Sequence, residues 1–296
     1  MKAMGSVQHV ILTRFNLPSA GNESYVRERE GWLKGRVALF ERYCLPSVAA
    51  QTSRAFDWII YFDPASPPWL LAWIAEHAAA GEFRPIFRAQ VSLADRLEDI
   101  AARPGFETPA FLITTNLDND DGLAADYVER LQAVEPSDQP MAVYFANGII
   151  RTHQAAYFRV DRRNAFCNVI EPWEGALTCW AAHHDKLNQV MDERRIDGPP
   201  AWLQVVHDTN VSNRARGRLI SPRRHAERFG RLLDDLAEPS STDYMGEYLL
   251  HAPQRAIREA ARAGTKRLVY AVGGADGADR VKAAWTRLRH GHHTRH

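Results

Sequence analysis

The chain has 296 residues, 45% of them apolar and 25% charged, with a formal net charge of +1. That composition belongs to a globular protein large enough to hold a deep cleft, and the near-neutral balance argues against a global pull toward nucleic acid. No stretch approaches the ~18 uninterrupted apolar residues of a membrane span, and the N-terminus, where Arg14 breaks a short apolar run, does not read as a signal peptide. Three cysteines, Cys44, Cys167 and Cys179, are far apart and form no CxxC pair, so neither a zinc ribbon nor a disulfide framework is expected, and a cytoplasmic location fits.

In chain order, His9 to Phe15 (HVILTRF) reads as a buried strand ended by Asn16 and Pro18. A polar loop leads to a helical pattern over Arg36 to Gln51, with Pro46 starting a new turn. Phe56 to Asp63 is a second strand, and Pro67 and Pro68 open a helix that Gly81 ends. Phe83 to Ala89 is a third strand, placed near an edge by Pro85. A short helix over Leu93 to Ala102 leads to a fourth strand, Phe111 to Asp118, and a helix follows from Leu123. This alternation predicts an α/β fold with a mainly parallel sheet flanked by helices, whose ligands bind beyond the carboxyl ends of the strands.

The second half has α+β texture. MAVYFANGIIRT and AAYFRV read as a hairpin, PWEGALTCWAAHHDKLNQVM as a loop becoming a helix, and AWLQVVHD as a late strand and loop. These readings divide the chain into a nucleotide-binding half, about 1–135, an α+β acceptor half, about 136–221, and a helical C-terminal appendage, 222–296. GGADGAD (Gly273 to Asp279) lacks the strand and helix context of a phosphate fingerprint.

The sharpest feature is TTNLDNDDG, where Asp118, Asp120 and Asp121 lie between a buried strand and a helix. Three carboxylates together cost free energy unless a cation or solvent compensates, and hard oxygen ligands suit Mg²⁺ or Mn²⁺ beside phosphate. A calcium loop does not fit, because counting from Asn116 puts Asp121 where glycine is required and Tyr127 where the final glutamate belongs. The plainer alternative is a solvated loop in which Asp121 caps the next helix.

Asp118-Asn119-Asp120 resembles the DxD motif of GT-A-fold glycosyltransferases. The ordered segments ILTRFN, RVALFERYCLPSVAAQT, FDWIIYFD, LDNDDGL and WLQVVHDTNVSN resemble, more narrowly, the bacterial "putative rhamnosyltransferase" family over about Val10 to Ser221. The resemblance implies a GT-A-like fold and a nucleoside diphosphate sugar donor. Asp120 would ligate the metal directly, and Asp118 would bind the ribose or the metal through water. His207, at the end of a late strand, would be the third metal ligand, with Asp208 or Asn210 holding its other nitrogen. The metal would neutralise the departing diphosphate.

The resemblance also brings Thr13, Arg14 and Asn16 to the nucleotide, with Arg14 able to reach the diphosphate as a forked donor, and Asp63 to the base. Arg96 could cover the phosphates, or lie on a solvated helix face. Glu171, Glu174 and Asp185 are candidates for the base that deprotonates the acceptor hydroxyl, with Glu174 preferred beside Trp173. His183 and His184 are adjacent and do not share a helix face, which argues against joint metal binding. The acceptor would be a saccharide, a lipid-linked molecule or a small molecule. Basic segments such as PQRAIREAARAGTKR could meet an anionic membrane surface, or pack with a solvated basic face. A phosphate hydrolase with an aspartyl nucleophile would carry its acids after the first strand, which here ends in TRFN. A non-catalytic nucleotide- or sugar-binding module is the third reading.

Overall fold

The structure is a computed structural model that describes residues 6–18, 31–207 and 216–251. It divides into two units between Glu238 and Pro239. In the first unit, β1 (Val7–Arg14) has a central apolar and β-branched run, Val10–Thr13, that is buried on both faces. Val10 and Leu12 join one core cluster and Ile11 the other, as the period of two along a strand requires. Helix α1 (Trp32–Leu39) passes through a widened π turn at Phe40–Cys44 into α2 (Leu45–Ala49). The widening sits directly before Pro46, which has no N–H to give the preceding turn.

β2 (Asp57–Phe62), α3 (Pro68–Ala79) and β3 (Arg84–Phe87) follow, and α4 (Leu93–Ala101) opens on a capping box between Ser92 and Asp95. Next come β4 (Phe111–Asn116), β5 (Gly122–Leu123) and α5 (Tyr127–Gln132). The remaining strands of this unit are β6 (Met141–Phe145), β7 (Asn147–Arg151), β8 (Ala156–Val160), β9 (Asn168–Pro172), β10 (Asp192–Ile196), β11 (Trp202–Val205) and β12 (Arg218–Ile220).

Seven strands form the main sheet in the order β10-β6-β9-β4-β1-β2-β3. All neighbours run parallel except β9, which is antiparallel to both β4 and β6. From β1 the chain winds outward through β2 and β3, then returns to place β4 on the other side of β1. That reversal opens a crevice at the carboxyl ends of β1 and β4, where ligands of such sheets bind. Phe15, Phe40, Trp58, Phe62 and Phe83 fill one face of the sheet, and Val10, Leu12, Ile59, Tyr61 and Ile100 fill the other. The α/β class, with a mainly parallel sheet between helical layers, is the one the alternating pattern predicts.

A second sheet, β12-β8-β7-β11-β5, carries the far wall of the crevice. In it Trp202 lies flat over Gly148, where an added Cβ would come within 2.0 Å of the indole, so only glycine fits there. Residues 222–238, with α6 (Ala226–Phe229), belong to this unit. Phe229, Leu232, Leu233 and Leu236 pack with Tyr43, Ile149 and Leu203. Arg151 is buried and grips Asp235 with both Nη atoms, at 2.9 and 2.7 Å, while also donating to the Leu232 carbonyl at 2.7 Å. The division therefore falls at Glu238/Pro239, not at 221/222.

Other differences have local causes. Asn168–Pro172, to which the sequence pattern assigns no element, is β9, and 173–191 is a loop with one 3₁₀ turn at His184–Gln189 in place of a helix. MAVYFANGIIR divides between the two sheets, so the hairpin is β7 with β8. In the second unit, Ser240 and Asp243 cap α7 (Ser241–Gly246), which continues as a π turn, Glu247–His251. The segments PQRAIREAARAGTKR and GGADGAD, together with Asp208 and Asn210, lie outside the described residues. No helix among the described residues is long and apolar enough to cross a membrane.

Candidate functional site

The acidic turn begins where β4 ends and is fastened on three sides. Asn119 donates from Nδ2 to the carbonyls of Arg14, at 3.1 Å, and Phe15, at 2.6 Å, which ties the turn to the end of β1. Asp121 is buried and its Oδ1 accepts the Val205 N–H at 2.8 Å, which ties the turn to β11. That bond brings the residue two places further on, His207, to the motif, and its Nε2 lies 2.9 Å from Asp120 Oδ2. Arg36, from α1, donates through Nη1 to the same Asp120 oxygen at 2.6 Å and to Asn119 Oδ1 at 3.0 Å.

The three acids have different surroundings. Burial pushes the Asp121 carboxyl well above the ordinary range, helped by the charges of Asp120 and Asp118. Burial also works to raise Asp120, but the bond from His207 and the Arg36 charge outweigh it and hold that carboxyl below its ordinary value. Asp118 is open to solvent in the crevice although protein crowds round it, and that crowding and the Asp120 charge push its carboxyl up. Asp118 is the acid exposed in the crevice, and Asp120 is the one held inside.

Asp118 opens into a cleft of about 580 Å³ between the two sheets. Arg14, Asn116 and Trp180 lie on the main-sheet side, and Arg159, Gln204 and Arg216 on the other. The Arg14 guanidinium rests 4.1 Å over the Trp180 ring, and the indole Nε1 donates to Asn116 Oδ1 at 2.6 Å. A cation held on an aromatic face above a carboxylate suits a ligand that carries both phosphate and a sugar ring.

Of the other residues singled out in the sequence, several serve the fold. Thr13 is fully buried and its hydroxyl accepts from the Trp58 indole at 3.0 Å, so its side chain does not face the cleft. Asn16 accepts the Asp63 N–H and donates to Ser66, at 3.0 Å each, which clamps the ends of β1 and β2. Asp63 accepts the Ala65 N–H at 2.8 Å in a turn outside the cleft. Arg96 is buried behind Trp180, 6.0 Å from its ring, and reaches the Leu177 carbonyl at 3.4 Å.

Of the base candidates, Glu171 and Glu174 lie off the cleft wall. Glu171 is fully buried, and its two oxygens accept the N–H groups of Leu177 and Thr178 at 2.8 Å, which fixes a turn where Thr178 has φ +67°. Glu174 is exposed on a surface turn and is not part of the cleft wall. Asp185 accepts from His183 Nδ1 at 2.7 Å, and both His183 and His184 line the cleft. Arg36, Asn116, Trp180, Arg159 and Arg216 are site residues that the sequence did not reveal; their roles depend on which strands become neighbours.

A divalent cation is testable against the donor set. Among the described residues no three His, Cys, Asp or Glu side chains are gathered as a ligand array. His207 Nε2 and Asp120 Oδ2 lie 2.9 Å apart, so two of the three expected ligands are neighbours. Asp118 in a ligand-sized cleft, with the Asp120 carboxylate two residues on, does fit a Mg²⁺ or Mn²⁺ whose shell is completed by phosphate and water.

An acidic turn thus lies at the switch point of a mainly parallel sheet and faces an arginine-bearing cleft. The chain belongs to the family described as "Putative rhamnosyl transferase", whose profile matches residues 8–219. No curated protein matches it. Among solved structures it is similar to S. aureus TarS 1–349, at 10% identity and a TM-score of 0.36, covering 67% of this chain and 60% of that one. It is also similar to S. aureus TarS, at 10% identity and a TM-score of 0.33, over 67% of this chain and 37% of that one. A third likeness, at 13% identity and a TM-score of 0.31, is to a "putative nucleotide-diphospho-sugar transferase" from Desulfovibrio desulfuricans G20, over 68% of this chain and 82% of that one.

Proposed function

We propose that this protein moves a sugar, rhamnose in the family's description, from a nucleoside diphosphate to an acceptor hydroxyl with the help of a divalent cation. The observation that carries the reading is the acidic turn, fastened by buried bonds, that presents Asp118 to a cleft walled by Arg14 and Trp180. Asp118 would hold Mn²⁺ or Mg²⁺ together with Asp120. A bound cation supplies charge neutralisation to the departing diphosphate. Arg14 adds a forked donor for the same phosphates, and the Trp180 ring beneath it is a face on which a sugar or base can stack. Arg36 and His207 hold Asp120 ionised and in one orientation, as partners of a metal ligand commonly do.

Calorimetry with UDP, GDP and dTDP, each with and without Mn²⁺, tests the reading. Binding of at least one diphosphate that strengthens with the metal is expected in the parent and is lost in Asp118→Asn. Equal affinity with and without metal removes the cation; no affinity for any of the nucleotides removes the function.

A further inference from the structure

Sugar transfer by direct displacement needs a group that takes the acceptor's proton, and the acids expected to do so are elsewhere: Glu171 is sealed in the core and Glu174 faces solvent outside the cleft. The cleft wall offers a different base. His183 lines it with about two thirds of its side chain exposed, and its Nδ1 is 2.7 Å from Asp185 Oδ1. A carboxylate at Nδ1 accepts the proton carried there, which leaves the lone pair on Nε2. The bond to His183 holds Asp185 below its ordinary carboxyl value, so the orienting partner stays charged. The neighbouring ring, His184, is 4.3 Å away centroid to centroid and is itself anchored through Nδ1 to the Arg163 carbonyl at 2.8 Å. That carbonyl accepts the proton on His184 Nδ1 and fixes the ring beside His183. Asp118, the acid at the donor end, lines the same cleft.

We propose that His183, oriented by Asp185, is the general base that deprotonates the acceptor hydroxyl in the transfer proposed above, on which this inference rests. In the step, the acceptor oxygen forms a bond to the sugar's anomeric carbon while the bond from that carbon to the phosphate oxygen breaks, its electron pair leaving on the diphosphate. The acceptor's proton passes to His183 Nε2. The imidazolium so formed is stabilised by Asp185 and returns the proton to solvent. A single displacement of this kind inverts the anomeric configuration. Asp185 acts through His183 and is a positioning residue.

The test uses the full chain with Mn²⁺ and UDP-glucose, GDP-mannose and dTDP-rhamnose, each offered a panel of saccharide acceptors. Transfer and water-driven release of diphosphate are both followed. His183→Ala is expected to lower turnover by about 10²–10⁴-fold, the usual worth of a positioned base, with donor affinity and melting temperature unchanged. Imidazole added to the buffer should restore part of the rate, which a purely structural histidine would not allow. Asp185→Asn should lower turnover by a smaller factor and leave donor affinity alone. The product anomer, read by proton NMR, should be opposite to the donor's. If the parent turns over and His183→Ala keeps its rate, or if the anomer is retained, the base assignment is overturned while the glycosyltransferase reading stands. If the parent neither binds nor cleaves any donor, the function itself falls and takes the base with it.

Discussion

The two walls of the cleft are built on opposite plans. The acidic turn is wired from within: Asn119, Asp120 and Asp121 are nearly buried, and each is bonded to a different part of the chain, β1, α1 and β11. The rim at His183–Asp185 is more exposed, and the bond that orients His183 joins side chains two residues apart. A sealed, cross-linked motif fixes charge in space, and removing any member leaves a buried partner unsatisfied. An exposed pair fixes only a ring orientation, so its loss is felt by chemistry and hardly by the fold. Asp118 bridges the plans, since it belongs to the wired turn yet faces the cleft.

Substitutions can break this contrast, and the largest effect belongs to Asp118. Asp118→Asn keeps shape and removes one charge from the ligand side, so turnover should fall by roughly 10²–10³-fold, in the range of losing one electrostatic stabiliser, while the melting temperature stays put. A variant that melts markedly lower would show that Asp118 belongs to the sealed side. Next is Asn119→Ala, which strips donors from two backbone carbonyls and an acceptor from Arg36. An unfolding free energy lower by about 1–3 kcal/mol is expected in denaturant titration, with nucleotide affinity also reduced because the turn loses its tie to β1. His207→Ala comes third. It frees one side of Asp120, and Mn²⁺ affinity should weaken by about 10-fold, the scale for groups that orient a ligand. A loss of several hundred-fold would instead mark His207 as a direct ligand.

Much of the frame was legible in the sequence because it rests on local pattern. The runs that became β1, β2 and β4 are short and β-branched, and Pro67, Pro68 and Gly81 bound α3 where proline and glycine should. The acid triplet was also visible, since its meaning comes from following a buried strand. What stayed hidden depends on distant partners. Asn168–Pro172 carries a proline and a glutamate and resembles a loop, yet it pairs on both sides with β4 and β6, and Glu171 is repaid by two backbone donors. Arg36 has no local signal for meeting Asp120, 84 residues away. The third-ligand role expected of His207 followed from its strand end, and the register of that strand delivers the ring to Asp120.

The smallest expected effect is the most pointed check on the contrast, because the sequence ranks two glutamates together that the structure separates. Glu171 and Glu174 flank the same tryptophan, and the sequence offers both as bases with Glu174 preferred. Burial raises the Glu171 carboxyl, and the two N–H groups it accepts from pull it back, so the side chain is a backbone clamp for the turn that sets Trp180 and Cys179 against the cleft. Glu171→Gln keeps one acceptor oxygen and turns an amide NH₂, itself a donor, toward a backbone N–H, so it should cost about 1–3 kcal/mol of stability and lower donor affinity only as far as the turn shifts. Glu174 makes no such bond to the backbone and stands in solvent, where surface substitutions usually stay within about 0.5 kcal/mol. Glu174→Gln should therefore leave melting temperature, donor affinity and turnover at the parent's values. Turnover reduced by 10-fold or more in Glu174→Gln, with donor binding intact, would return the base to Glu174 and require the 173–180 loop to fold into the cleft during the reaction.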